Sequence, residues 1–130
     1  MFLFACKSTE SIDPQTGIIG KWAPSYITQI RNPDDSWGEW HQINTLIALP
    51  IYEFTSDGKF LRDGKPGALT CVSGSKYKVS GDKITFTERH TDEQLASCIS
   101  CENWVIIEIK NNTLILEECA RVRNKFARTK

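Results

Sequence analysis

The chain has 130 residues, 40% of them apolar, and 16 Lys plus Arg against 16 Asp plus Glu. That length suits one domain with a modest core. The charge balance lacks the basic footprint of a nucleic-acid binder, and no stretch approaches the ~18 consecutive apolar residues of a membrane span.

In chain order, the first signal is Leu3-Phe4-Ala5-Cys6. It resembles the lipobox of bacterial lipoproteins, in which a small residue precedes the cysteine that is lipidated after cleavage. The resemblance implies a lipid on Cys6 and anchoring to the outer membrane of a bacterial cell envelope, on its periplasmic or surface side. Lys7 to Gly17 is polar and turn-rich, as a tether is, so residues 1–17 are expected to be leader remnant and tether. Five residues before Cys6 are too few for a charged n-region and an apolar h-region, so this resemblance carries the expectation that the true start lies upstream or that the chain is clipped. The alternative is a chance Phe-Ala-Cys in a disordered start.

From residue 18 to 130 turn signals recur between short alternating runs, and helical periodicity is almost absent. That pattern predicts an all-β sandwich or barrel. Ile18 to Ile30 is the first strand, with Trp22, Tyr26 and Ile30 on one parity. Pro24 cannot donate to a ladder, so this strand is expected to bend or lose pairing locally. Residues 31–50 form a long connection, the kind that is functional or a lid more often than not. Three hairpins follow, turning at Asp57-Gly58, Gly81-Asp82 and Asn111-Asn112. The one helix candidate is Thr91 to Cys98, and Val122 to Thr129 is the last strand. The prediction is an eight-stranded antiparallel up-and-down sheet that closes on itself and so abolishes its edges.

Gly20-Lys21-Trp22 opens the first strand as the Gly-x-Trp of lipocalins and related calycin barrels does. "YEFTSDGKF", "YKVSGDKITFT" and "LILEEC" are similar to short lipocalin-like domains of bacterial lipoproteins, especially those of the Bacteroidetes. The resemblance spans about residues 18–129. The family's later Thr-Asp-Tyr motif has no counterpart. The resemblance implies a barrel that binds a small apolar or amphipathic molecule, or one with no known ligand. Alternation adds an independent expectation. Val122 and Phe126 point inward, so Arg128 does too, and an antiparallel closing strand brings it to Trp22 as a cation–π pair with a structural role.

Five cysteines leave one apart from four. In the meander the tight turns lie at one end and the longer connections at the other. That gathers Cys71, Cys98, Cys101 and Cys119 on one rim. Neighbouring strands pair Cys71 with Cys98 and Cys101 with Cys119, each ring contributing roughly 3 kcal/mol in the loop-entropy model. A Cys-x-x-Cys redox site wants a βαβ context, which is missing here. A zinc site on the four cysteines, or one including His90, is the remaining rival and needs a reducing compartment.

Parity sends Tyr26, Tyr52, Phe54, Phe60, Tyr77, Val79, Ile84 and Phe86 inward, with Val105, Ile107, Ile109, Leu114 and Leu116. Polar residues of inward parity are Arg62, Glu88, His90 and Glu118, all toward the rim. Buried charge must be paired or stay wet, so they read either as an Arg62–Glu88 or Arg62–Glu118 ion pair or as the polar lining of a cup. The candidate ligand-binding set is Arg62, Glu88, His90, Glu118, Trp37, Trp40, Tyr26, Tyr52 and Tyr77. Trp37, Trp40, His41 and the 46–49 apolar run would form a lid, or simply bury themselves against the barrel. Nothing here calls for a cofactor or a metal, and no Ser-His-Asp order or phosphate loop suggests an enzyme. The rival functional class is a filled barrel that contacts a protein partner through loop 31–49.

Overall fold

The computed structural model describes residues 13–46, 48–66, 74–89 and 103–129. Ten antiparallel strands form one sheet: β1 (Gly20–Ile30), β2 (His41–Gln42), β3 (Tyr52–Phe54), β4 (Phe60–Arg62), β5 (Lys65–Pro66), β6 (Gly74–Ser80), β7 (Lys83–Arg89), β8 (Asn103–Ile109), β9 (Thr113–Glu118) and β10 (Val122–Arg128). The strand order is β5-β4-β3-β1-β10-β9-β8-β7-β6, with β2 added to β1. Eight of these are the strands read from the alternation. The other two, β2 and β5, are two-residue additions that no periodicity reveals.

First and last strands pair along most of their length, from Trp22 opposite Arg128 to Ile30 opposite Val122. The sheet then curls until β4 meets β6. That seam is thin: an isolated bridge joins Lys59 to Lys76, and the Tyr77 amide donates to the Gly58 carbonyl at 3.0 Å. The result is a nearly closed up-and-down barrel, the architecture predicted from the sequence.

Gly58 (φ +88) and Gly81 (φ +61) take the left-handed backbone their tight turns need. Between β9 and β10 the turn is made by Cys119 and Ala120, both with φ near +58. Neither residue type signals that conformation, which for a side chain with a Cβ costs about 1–2 kcal/mol.

The interior is aromatic. Trp22, Phe54, Phe60, Phe86 and Trp104 are fully or almost fully buried. Trp104 sits edge-on to Phe86 at 4.7 Å and to Phe60 at 5.6 Å, with Tyr52 5.4 Å away. Such edge-to-face contacts suit the ring quadrupoles. Strand β8 corrects the alternation. Trp104 and Ile106 point inward, while Ile107, expected inside, is 40% exposed and Val105 is only half-buried. The register explains it: β8 advances from Ile106 to Glu108 while β9 advances only from Leu116 to Ile115. One extra residue flips the inward face from even to odd numbers, and Ile109 is inward again.

The end that carries the tight turns is sealed. A short helix, α1 (Pro14–Gly17), capped by the Asp13 carboxylate, lies against it, and Gln15 Nε2 donates to the Val79 carbonyl at 3.1 Å. Residues 13–17, assigned to the tether from composition, therefore pack on the barrel. Trp22 Nε1 donates to the Ile18 carbonyl at 2.8 Å. The Arg128 guanidinium lies 4.2 Å over the Trp22 ring and donates to the carbonyls of Gly17, Ile19 and Asn111 at 2.7–2.9 Å. Gly20 makes room for it: a Cβ there would come within 2.7 Å of Arg128 Nη1. The Gly-x-Trp signature is thus a seat for an arginine.

Candidate functional site

The opposite end holds a cavity of about 220 Å³. It is built around a defect in β1. Between Pro24, opposite Phe126, and Thr28, opposite Asn124, β1 spends four steps where β10 spends two. Pro24 offers no N–H to the ladder, and Tyr26, with φ +60, sits at the apex of the resulting bulge. From there it anchors the long connection twice. Its carbonyl accepts from the Ile43 amide at 2.8 Å, and its phenol oxygen accepts from the Leu49 amide at 3.0 Å. Ile43, Leu49 and Pro50 thereby become one wall of the cavity.

The facing wall is the barrel itself: Tyr52 from β3, Arg62 from β4, Glu118 from β9, and Asn124, Lys125 and Phe126 from β10. Glu118 organises the polar part. One carboxylate oxygen accepts from the Tyr52 hydroxyl at 3.1 Å, the other from Asn124 Nδ2 at 3.0 Å. Burial raises the Glu118 carboxyl above its ordinary range, opposed by those two hydrogen bonds and by the positive charge of Arg62. Burial, reinforced by the Glu118 charge, lifts the Tyr52 phenol well above its usual value, so it stays a proton donor at any physiological pH. Arg62 lies 5.5 Å over the Tyr52 ring.

Four of the residues selected by parity thus meet at one place: Tyr26, Tyr52, Arg62 and Glu118. Three selected residues do not. Tyr77 is buried at the sealed end, where its hydroxyl donates to the Thr55 carbonyl at 2.7 Å. Trp37 and Trp40 are not among the residues that line the cavity. The guanidinium groups of Arg31 (4.8 Å) and Arg123 (4.1 Å) both lie over the Trp37 ring, and Trp40 covers the Lys125 ammonium at 4.7 Å. Arg123 has the parity opposite to buried Phe126 and pairs with Glu117 at 3.0 Å, so Trp37 packs on the barrel's outer face. Cation–π attraction to these basic side chains explains why both tryptophans fold back. Glu88 lies on β7 with its side chain outside the described residues, as are His90, Cys6, Cys71, Cys98, Cys101 and the 91–98 helix candidate. Cys119 is disulfide-bonded, and its partner sulfur also lies outside them.

Asn124 joins the site without having been singled out. It shares the parity of Val122 and Phe126, so alternation alone places it inward. Ile43, Leu49 and Pro50 carry no such signal, because their place depends on the Tyr26 bulge. Trp104, cross-strand neighbour of Glu118, has its Nε1 buried without a hydrogen-bond partner among the described residues.

No family model matches the sequence, and no curated protein matches it. Among solved structures, the chain is similar to a lipocalin-like protein from Bacteroides uniformis, at 17% identity and a TM-score of 0.49, over 87% of this chain and 99% of that one.

Proposed function

We propose that this barrel binds a small amphipathic molecule in the mouth cavity and is a carrier or sensor rather than an enzyme. The observation that carries the reading is the cavity itself: apolar on the Tyr26–Ile43–Leu49–Phe126 side, polar at Tyr52, Glu118 and Arg62. Ligand sites combine these features, mostly apolar walls with a few placed polar groups. Its volume is larger than the ~150 Å³ cavity that admits benzene and smaller than the ~300 Å³ of drug-sized pockets. The ligand is therefore ring-sized, not a long acyl chain or haem. The same reading includes a lipid anchor at Cys6, an envelope location, and the rim disulfides Cys71–Cys98 and Cys101–Cys119. It rests on the lipobox-like start and on the rim positions that the strand meander predicts for the cysteines. The rival reading, a protein contact through loop 31–49, draws support from the fully exposed Leu46. Against it, Trp37 and Trp40 are spent on the barrel's own cations.

Titration of intrinsic tryptophan fluorescence with ring-sized amphipathic molecules tests the proposal. Saturable changes are expected in the wild type and their loss in Leu49→Trp, which fills the cavity. No response to a broad panel, with the barrel intact by circular dichroism, overturns it.

A further inference from the structure

A second concave surface lies at the mouth end and shares no lining residue with the cavity. It is a groove of about 470 Å³ between residues 30–35 and the turn from β9 to β10. Ile30, Pro33 and Val122 give it apolar walls, and Arg31, Arg121 and Asp35 give it charge. The ladder explains why two arginines meet there. Ile30 pairs with Val122, and one step on the Arg31 amide donates to the Arg121 carbonyl at 3.0 Å, which sets the two residues opposite each other. Like charges so placed repel. No carboxylate relieves them among the described residues, where the ion pairs are Lys59–Asp57, Lys110–Glu108 and Arg123–Glu117. Asp35 forms none, and Asp34 is turned to the Ser36 hydroxyl at 2.6 Å. Arg31 Nε is buried with no hydrogen-bond partner among the described residues. The Trp37 ring faces the Arg31 charge but supplies no oxygen acceptor for its N–H groups. Two guanidinium groups thus border one groove without an acid to share. Next to them Ile30 is 50% exposed, although its parity is inward. A phosphate group, with a charge of about −1.5 to −2 and three acceptor oxygens, can meet both guanidinium forks, whereas one carboxylate is satisfied by a single fork.

We propose that this groove binds the phosphate of an amphipathic phosphate ester, bridged by Arg31 and Arg121, with the apolar part of the molecule against Ile30, Pro33 and Val122. The site stands whether or not the mouth cavity holds a ligand. The test titrates inorganic phosphate, phenyl phosphate and benzoate into the full chain at constant ionic strength and follows the Arg31 Nε–H signal by NMR. Both phosphates are expected to shift that signal. Phenyl phosphate should bind more tightly than inorganic phosphate, and at least about tenfold more tightly than benzoate. Arg121→Gln, on an exposed turn, is expected to lower phenyl phosphate affinity about tenfold. Lys83→Gln, which removes an exposed cation from the sealed end, should leave it unchanged. Sedimentation with vesicles separates the two sources of the phosphate. Binding to phosphatidic acid but not to phosphatidylcholine vesicles, lost in Arg121→Gln, identifies a lipid headgroup. Phenyl phosphate binding with no vesicle binding identifies a soluble ester. An Arg31 signal that neither phosphate moves, benzoate binding as tightly as phenyl phosphate, or equal losses in Arg121→Gln and Lys83→Gln would overturn the site. Inorganic phosphate binding as tightly as phenyl phosphate would overturn the role of the apolar walls.

Discussion

At the sealed end, each nitrogen of the Arg128 guanidinium donates to a backbone carbonyl, and the ring of Trp22 covers the charge. At the mouth, the Glu118 carboxylate receives two donors but keeps acceptor capacity, and burial still raises its proton affinity. One end has its polar groups closed off among themselves; the other leaves an unfinished set facing a cavity. The difference teaches which end supports stability and which end is available for binding. A buried charge with complete partners holds a structure together, while one with incomplete partners is paid for elsewhere in the fold and can be completed by a ligand.

Arg128→Ala is the sharpest way to break the sealed end. It removes charged donors from three carbonyls and the cation from Trp22, and should cost about 2–3 kcal/mol, read by urea denaturation. Arg128→Lys should recover less than half, because an ammonium cannot reproduce the planar fork. A loss below about 0.5 kcal/mol, the ordinary surface range, would mean that this end does not carry the stability assigned to it.

The two fully buried tryptophans give a finer comparison. Trp22 Nε1 donates to Ile18, whereas Trp104 Nε1 has no partner among the described residues. Trp22→Phe also leaves the Ile18 carbonyl unpaired. It should therefore cost about 1–2 kcal/mol more than Trp104→Phe, measured under the same denaturation conditions. Equal costs would erase the distinction between the two indoles.

The smallest effect concerns Glu118. Its carboxyl holds a proton more tightly folded than unfolded, so ionisation at neutral pH weighs against the fold. That load is lifted as pH falls through the raised value toward the ordinary 4.5. Tyr52 stays protonated throughout. Thermal melts of wild type and Glu118→Gln from pH 7.5 to 5 should show the wild type gaining on the variant as pH falls. A constant difference, or one that moves the other way, would contradict the buried, incompletely satisfied carboxylate.

Much of this molecule could be written down before any coordinates. Residues of period two, glycines at Gly58 and Gly81, and the Trp22–Arg128 parity argument lead to the barrel and to its closing pair. The same alternation selects Tyr52, Arg62 and Glu118 for the mouth, and it equally contains Asn124. Where it misleads, at Val105 and Ile107, the cause is one extra residue on β8. Trp37 and Trp40 follow the alternative reading, packing against the barrel, and two of their partners, Arg123 and Lys125, lie far along the chain on β10, which the local sequence around the tryptophans does not specify.

Side-chain alternation and tight turns are local properties of the chain, set by backbone sterics and a few residue types, so they can be read one strand at a time. A bulge exists only as a mismatch between two strands laid side by side, as Tyr26 and Ile107 show. The cavity wall at Ile43, Leu49 and Pro50 exists only because the Tyr26 bulge reaches out to hold it. Those features are long-range, and packing two distant segments together creates them.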